Sequence, residues 1–341
     1  MKRAFGGLLA AVVWISVFTG CGGEAETPAH PDPHVWMDVM AWSRCTGYVA
    51  EFMAKYDAKH ADAYRAGAKA YQEKLAKLDQ YAAEVINSIP KEQRVLVTAH
   101  DAFGYFADRY QIEVHAPQGV DTQVKANPSD INRLVDFVVK RKIKALFPET
   151  SVNDQNLVAV KDGAKSRGFD VEIVKEKLFS DSMGTPGTYH GTYIGMIDHN
   201  ATTIARALGG KAPEGGFQEW LQKQADGTQK NDAPTTEKDA APAKKHNIMA
   251  TTGMVADIVK AVAGELAEVH MLIPAKDDPH EFNARRSDTV RLQEADVVIY
   301  SGLYLEARLT EIFENQAREG KPVFAVTEKL QEDGYPLRTE F

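Results

Sequence analysis

Cysteine is nearly absent from this chain of 341 residues: only Cys21 and Cys45 occur. Cys21 sits beside a cleavage pattern, so the mature chain is expected to hold no intramolecular disulfide, and Cys45 reads as a small buried hydrophobe. Positive charge is in deficit, with a formal net charge of −8. There is no basic stripe and no aromatic–basic sheet motif, which argues against a nucleic-acid partner. Long apolar runs are missing too. The run over residues 5–19 falls short of the ~20 residues that cross a bilayer as a helix. Histidine is scarce at 10 residues, so a repeated motif that carries it is informative. What remains is ordinary for a globular protein, 44% hydrophobic and 26% charged, in a length that suits one large or two medium domains.

The N-terminus has the layout of an export signal. Lys2 and Arg3 precede the apolar run, and Phe18-Thr19-Gly20-Cys21 places small residues before a cysteine. Residues 1–21 resemble a bacterial lipoprotein signal, with Phe18 where leucine is usual. The expected product is periplasmic or at the cell surface, anchored to the membrane through lipidated Cys21. Plain cleavage that leaves Cys21 unmodified is the other reading.

Past a short tether, helical spacing runs from Asp38 to Tyr56 and again from Ala61 to Ile89, ended by Pro90. The second helix would be about 40 Å long, enough to bridge two lobes. Strands are then expected at Arg94–Thr98, Ala145–Phe147 and Val171–Val174, with a short strand and a turn within Val114–Val120, alternating with helices at Asp101–Tyr110, Pro128–Lys140, Asn156–Arg167 and Thr192–Leu208. Such alternation implies βαβ units and a mainly parallel sheet. Residues 223–245 lack any large apolar side chain and are expected to be a disordered linker. Beyond it the alternation resumes, with strands at Ile248–Thr251, Ala267–Leu272, Val297–Tyr300 and Val323–Val326 and helices at Met254–Val262, Ser287–Glu294 and Leu305–Gln316. The chain then stops with no terminal helix expected.

The tripeptide Asp-Pro-His occurs twice, at 32–34 and 278–280, each time with an aromatic two residues after the histidine (Trp36, Phe282). Proline stiffens the turn, so little entropy is lost when it presents an imidazole to a metal. A single copy also reads as a helix start, with Asp as N-cap and Pro at N1. His100 follows the strand at 94–98, and Asp181 follows Leu178-Phe179-Ser180; ligands of open α/β sheets lie at the carboxyl ends of strands. His34, His100, His280 and Asp181 would together suit a first-row divalent ion, most naturally zinc, or manganese with a bidentate carboxylate. His100 bonded to Asp101, and Asp181 capping its own turn, are the plainer alternatives. Glu149 and Asp38 are candidate acceptors for imidazole N–H groups. His30, His60, His115, His190, His199, His246 and His270 have no partner motif.

Several stretches resemble the metal-specific solute-binding lipoproteins of bacterial zinc and manganese ABC importers. They are Ala-Thr-Thr-Gly-Met-Val-Ala-Asp-Ile-Val (250–259), Asp-Pro-His-Glu-Phe, Ala-Asp-Val-Val-Ile-Tyr-Ser-Gly-Leu-Tyr-Leu-Glu (295–306), Asp-Pro-His-Val-Trp-Met-Asp, Thr-Ala-His-Asp-Ala-Phe-Gly-Tyr-Phe, Phe-Ser-Asp-Ser-Met-Gly and Gly-Thr-Tyr-Ile-Gly-Met. The resemblance implies an α/β fold of two lobes joined by a long rigid helix, with metal in the cleft. The family's four ligands fall on His280, His34, His100 and Asp181. It further implies delivery of zinc or manganese to an ABC permease by a monomeric protein. In the family the segment resembling 247–341 comes first, whereas here it comes last, so the chain looks circularly permuted. One lobe would then be 30–58 with 247–341, residues 59–90 the connecting helix, 91–222 the other lobe, and 223–246 the linker.

Two other functions compete. A zinc hydrolase is disfavoured, because His280-Glu281 is the only His-Glu pair and position 284 is Ala, so no His-Glu-x-x-His exists. Four protein ligands would also leave no open position for catalysis. An adhesin or structural lipoprotein on the same fold is the third reading.

Overall fold

Two parallel sheets with the same strand order organise the chain. The structure is a computed structural model that describes residues 30–226 and 245–339. The expected signal with Cys21, and Phe341, lie outside the described residues. Helix α1 (Val39–Tyr56) starts where the Asp38 carboxylate accepts from the amides of Met40 (2.8 Å) and Ala41 (3.1 Å), satisfying donors that a helix start leaves orphaned. Helix α2 (Ala61–Asn87) buries Tyr64, Tyr71, Leu75, Leu78, Ala82 and Val85, the face its spacing predicts.

The first sheet holds β1 (Val95–Val97), β2 (Glu113–His115), β3 (Ala145–Leu146) and β4 (Glu172–Ile173). β1 pairs with β2 and β3 with β4, all parallel. The Phe147 amide donates to the Val97 carbonyl at 2.8 Å and joins the two pairs, which makes the order β2-β1-β3-β4. Around it lie α3 (Gly104–Tyr110), α4 (Pro128–Arg141), α5 (Gln155–Ser166), α6 (Tyr193–Ala207) and α7 (Gly216–Asp226).

The second sheet holds β5 (His246–Ala250), β6 (Ala267–Met271), β7 (Val297–Tyr300) and β8 (Val323–Ala325) in the order β6-β5-β7-β8. Its helices are α8 (Gly253–Ala263), α9 (Arg286–Glu294), α10 (Thr310–Arg318) and α11 (Glu328–Glu332). These are the two lobes. α2 packs on α1 and α8 on one side and on α6 on the other, so the long helix is buried against both. One continuous apolar core, with Trp36, Trp42, Tyr193, Val255 and Ile299 among its members, runs between the sheets. No described helix is long and apolar enough to cross a membrane.

The order of each sheet reverses direction between its two central strands, and ligand sites form outside the carboxyl ends of strands at such a point. In both sheets a buried glutamate sits there. Glu149 follows β3 and accepts from the amides of Ala99 (2.7 Å) and His100 (2.9 Å). Glu306 follows β7 and accepts from the Thr251 hydroxyl (2.6 Å) and the Ser301 amide (2.8 Å).

Four expectations need correction. The expected linker at 223–246 is structured at both ends. α7 continues to Asp226 because Phe217 and Trp220 are buried and the Trp220 indole donates to Glu84 at 2.9 Å. At the other end His246 opens β5, opposite Ala267, and its ring lies 3.0 Å from Asp57; residues 227–244 lie outside the described set. The helix expected from Leu305 begins only at Thr310, because Gly302, Leu303 and Tyr304 turn through positive φ (97°, 52° and 64°). α3 begins at Gly104 rather than Asp101, leaving 98–103 as the loop that presents His100. A short helix, α11, does follow β8, anchored by buried Leu330.

Candidate metal centre

The turn at 32–34 is tied to its own aspartate. Asp32 Oδ1 accepts from the His34 backbone amide at 2.9 Å and lies 2.8 Å from His34 Nδ1. The helix-start reading of this motif therefore fails here: Asp38, six residues on, is the cap of α1. With Nδ1 engaged, Nε2 of His34 points onward to Asp181 Oδ1, 3.0 Å away.

His100 is built in the same way from the other lobe. Its Nδ1 lies 2.6 Å from Glu149 Oε2, and its Nε2 lies 3.2 Å from Asp181 Oδ2. Glu149, not Asp101, is thus its partner, and the two meet because parallel β1 and β3 are neighbours. Asp181 stands between the two imidazoles, one oxygen to each. His280 completes the group, its Nε2 3.4 Å from Nε2 of His34. His34, His100, Asp181 and His280 are all buried.

The spacing is informative. Around a tetrahedral ion with bonds of about 2.0–2.1 Å, donor atoms stand roughly 3.3 Å apart. The contacts of 3.0, 3.2 and 3.4 Å have that size. The alignment is poor for hydrogen bonding: both ring nitrogens of His100, one oxygen of Asp181 and one of Glu149 are buried without a hydrogen-bond partner among the described residues. Buried polar atoms that converge unpaired are costly unless something else satisfies them. A cation does so for lone pairs. The donor set therefore fits a divalent first-row metal.

The electrostatics point the same way. Asp181 is held well below the usual carboxylate range: burial opposes this, but the adjacent His100 and His34 rings outweigh it. His280 is pushed down to about 4, chiefly by burial.

The family model described as the periplasmic component A of a zinc-uptake complex matches residues 10–207 and 248–340. The chain belongs to this family. Among its relatives, the zinc-binding protein TroA of Treponema pallidum is 45% identical over 177 residues, covering 52% of this chain and 57% of that protein. The manganese-binding lipoprotein MntA of Bacillus subtilis is 43% identical over 186 residues, covering 54% of this chain and 60% of that protein. The alignments thus span less than two thirds of these relatives' lengths. Among solved structures, periplasmic zinc-binding TroA of Treponema pallidum superposes with a TM-score of 0.50 at 44% identity, over 52% of this chain and 64% of that one.

Within this family member the cleft is spanned by several further contacts. The Trp36 indole donates to the Ser180 carbonyl at 2.9 Å, beside Asp181, and the Tyr193 hydroxyl donates to the Trp36 carbonyl at 2.7 Å. Arg308 donates to the Glu281 carbonyl (2.8 Å) and to Gln123 Oε1 (2.9 Å), bridging the His280 loop to the opposite lobe. Of the two candidate acceptors, Glu149 holds an imidazole, while Asp38 caps α1 and accepts from the Tyr335 hydroxyl at 2.8 Å. Asp32 was legible only as a turn former. None of the other described histidines joins the group: His60 and His246 meet at Asp57, His190 and His199 flank Phe179, and His115 pairs with Glu113.

Glu149 yields a direct expectation. In Glu149→Gln the amide oxygen still accepts from the two backbone amides, but the charge facing His100 Nδ1 is lost. Metal affinity is expected to fall about 10–100-fold, the range for such outer partners, with the fold intact by circular dichroism. Parent-level affinity in this variant would show that Glu149 serves the loop alone.

Proposed function

We propose that the protein is an extracytoplasmic binding protein for zinc or manganese that delivers its ion to an ABC permease. The observation that carries this reading is the buried triplet of His34, His100 and Asp181, with His280 Nε2 3.4 Å from His34 Nε2. His34, His100, His280 and Asp181 are the proposed ligands. Since His34 and His280 approach from one side of the cleft and His100 and Asp181 from the other, a bound ion holds the lobes together. That suits a carrier, whose docking partner must part the lobes to release the ion. A saturated, buried donor set leaves no position for a reacting water, so no hydrolytic turnover is expected. Lipidation of Cys21 and a monomeric state complete the proposal. The test is metal uptake by cells that lack the protein and are complemented with the parent or with His100→Ala. Restored uptake with the parent alone supports the reading; equal uptake with both overturns it.

The lobe boundaries and the permuted order form part of the same proposal. Support comes from where the ends of the described chain lie. Pro31 and Thr339 form an antiparallel bridge, and the Asp32 amide donates to the Arg338 carbonyl at 2.8 Å. Phe52 of α1 stacks on Phe324 of β8 with centroids 4.6 Å apart, which supports assigning the second sheet and α1 to one lobe. A reordered chain, with residues 245–341 placed before 31–226 and 227–244 deleted, is expected to fold and bind metal as the parent does. Failure of that chain to fold would count against the permuted reading.

A further inference from the structure

We infer that Asp278 supplies a fifth donor to the same ion, and that this oxygen sets the discrimination between manganese and zinc. The inference rests on the proposed metal-binding function and deepens it. It comes from comparing the two Asp-Pro-His turns, which are identical in sequence and different in use.

In the first turn the aspartate is spent on its own histidine. Asp32 Oδ1 serves both the backbone amide and Nδ1 of His34, and Asp32 Oδ2 lies 3.7 Å from the Arg338 guanidinium. In the second turn Asp278 Oδ1 accepts from the His280 backbone amide at 2.9 Å, but the ring is turned elsewhere. Nδ1 of His280 has Asp121 Oδ1 at 3.9 Å, across the cleft. The Asp278 carboxylate is therefore not paired with its own imidazole. Instead, one of its oxygens, one of Asp181's and a ring nitrogen of His280 lie within 4.8 Å of one another. This triplet shares Asp181 with the triplet of His34, His100 and Asp181, so the five residues form one continuous donor set. Asp181 is fully buried and keeps an oxygen without a hydrogen-bond partner among the described residues.

Two carboxylates brought together in a buried site repel each other unless a cation lies between them. Zinc is satisfied by four donors in a tetrahedron, whereas manganese favours more oxygens and a higher coordination number. Two carboxylates with three neutral imidazoles balance a doubly charged ion and offer five or six donor atoms. Removing the Asp278 charge should therefore cost manganese more than zinc.

The experiment is competitive titration of the apo protein with Mn²⁺ and Zn²⁺ in the parent, Asp278→Asn, Asp278→Ser and Asp32→Asn. Asparagine keeps an oxygen for the His280 amide, so the turn survives, and serine provides a second variant should asparagine disturb folding. The expected result is a loss of manganese affinity at least tenfold greater than the loss for zinc in both Asp278 variants. Asp32→Asn should weaken both ions alike. X-ray absorption at the manganese edge should report one fewer light-atom neighbour in Asp278→Asn than in the parent. An unchanged ratio of the two affinities, or an unchanged neighbour count, overturns the inference while leaving the binding function standing. A parent that binds neither ion overturns the binding function itself.

Discussion

Calorimetric titration of the apo protein is expected to find one tight divalent-metal site, and alanine at His34, His100, Asp181 or His280 to weaken it severely. The expected loss in each variant exceeds the roughly 10–100-fold that removing an outer partner costs, because each substitution deletes a donor atom from a buried shell. Asp181→Ala should be the most damaging. Its two oxygens lie 3.0 Å from His34 Nε2 and 3.2 Å from His100 Nε2, so its loss removes the carboxylate that both Nε2 atoms face. His280→Ala should be the mildest, since His280 carries no strong ion pair: Asp121 is 3.9 Å away. Metal should also raise the melting temperature of the parent in proportion to the logarithm of its excess, and of the variants far less. Parent-like affinity in any one variant removes that residue from the site, and in two it ends the four-ligand reading.

The second large effect is on pH. Imidazoles ligate only when neutral. From an ordinary histidine the dependence would level off above about 6.5. The structure predicts otherwise. Burial pulls His34 down, but the close carboxylates of Asp181 and Asp32 overcome it and push the ring up to about 9. For His100, too, burial acts downward, and the charges of Glu149 and Asp181 carry it well above the ordinary value. His280, at about 4, is already neutral near pH 7. Loading at neutral pH must therefore expel about two protons, from His34 and His100, and affinity should keep rising up to pH 9 and beyond. Titration in buffers of differing ionisation enthalpy measures the proton count. Release close to zero at pH 7, with affinity flat above it, would refute the assignment.

The apo protein should respond in the opposite sense. A folded-state value raised above the unfolded one stabilises fully below the unfolded value, and that stability is lost as pH climbs through the folded value. For His34 the window runs from about 6.5 to about 9. The lowered value of Asp181 acts at the acid end: its stability is present above 3.8 and lost as pH falls through its folded value. His280 adds to the acid loss between 6.5 and about 4. The melting-temperature gain on adding metal should therefore widen from pH 6 to pH 9.

Much of the candidate site was legible because its signals are local. A proline-stiffened turn before an aromatic, and a histidine or aspartate just past a strand, declare themselves within a few residues. The apolar face of α2 follows from 3.6-residue periodicity alone, and the strand–helix alternation from the spacing of short apolar runs. α7 and the ends of the 223–246 stretch are hidden from a local reading because the stretch is polar and its anchors, Phe217 and Trp220, precede it. Phe217 and Trp220 are held by α2 and α6, which lie far away in sequence.

The sequence by itself determined the donor types, the stiffness of the turns that carry two of them, and the parallel architecture that puts strand ends on one edge. The tertiary structure alone decided how those donors are held. Glu149 meets His100 across 49 residues only because β1 and β3 pair side by side. Asp32 and Asp278, identical in local sequence, part company because Arg338 faces one while Asp181 faces the other. The raised values of His34 and His100 follow, against the downward pull of burial, from carboxylates that include Asp181 and Glu149 of distant segments. Field strength depends on distance through space, and separation along the chain carries no record of it.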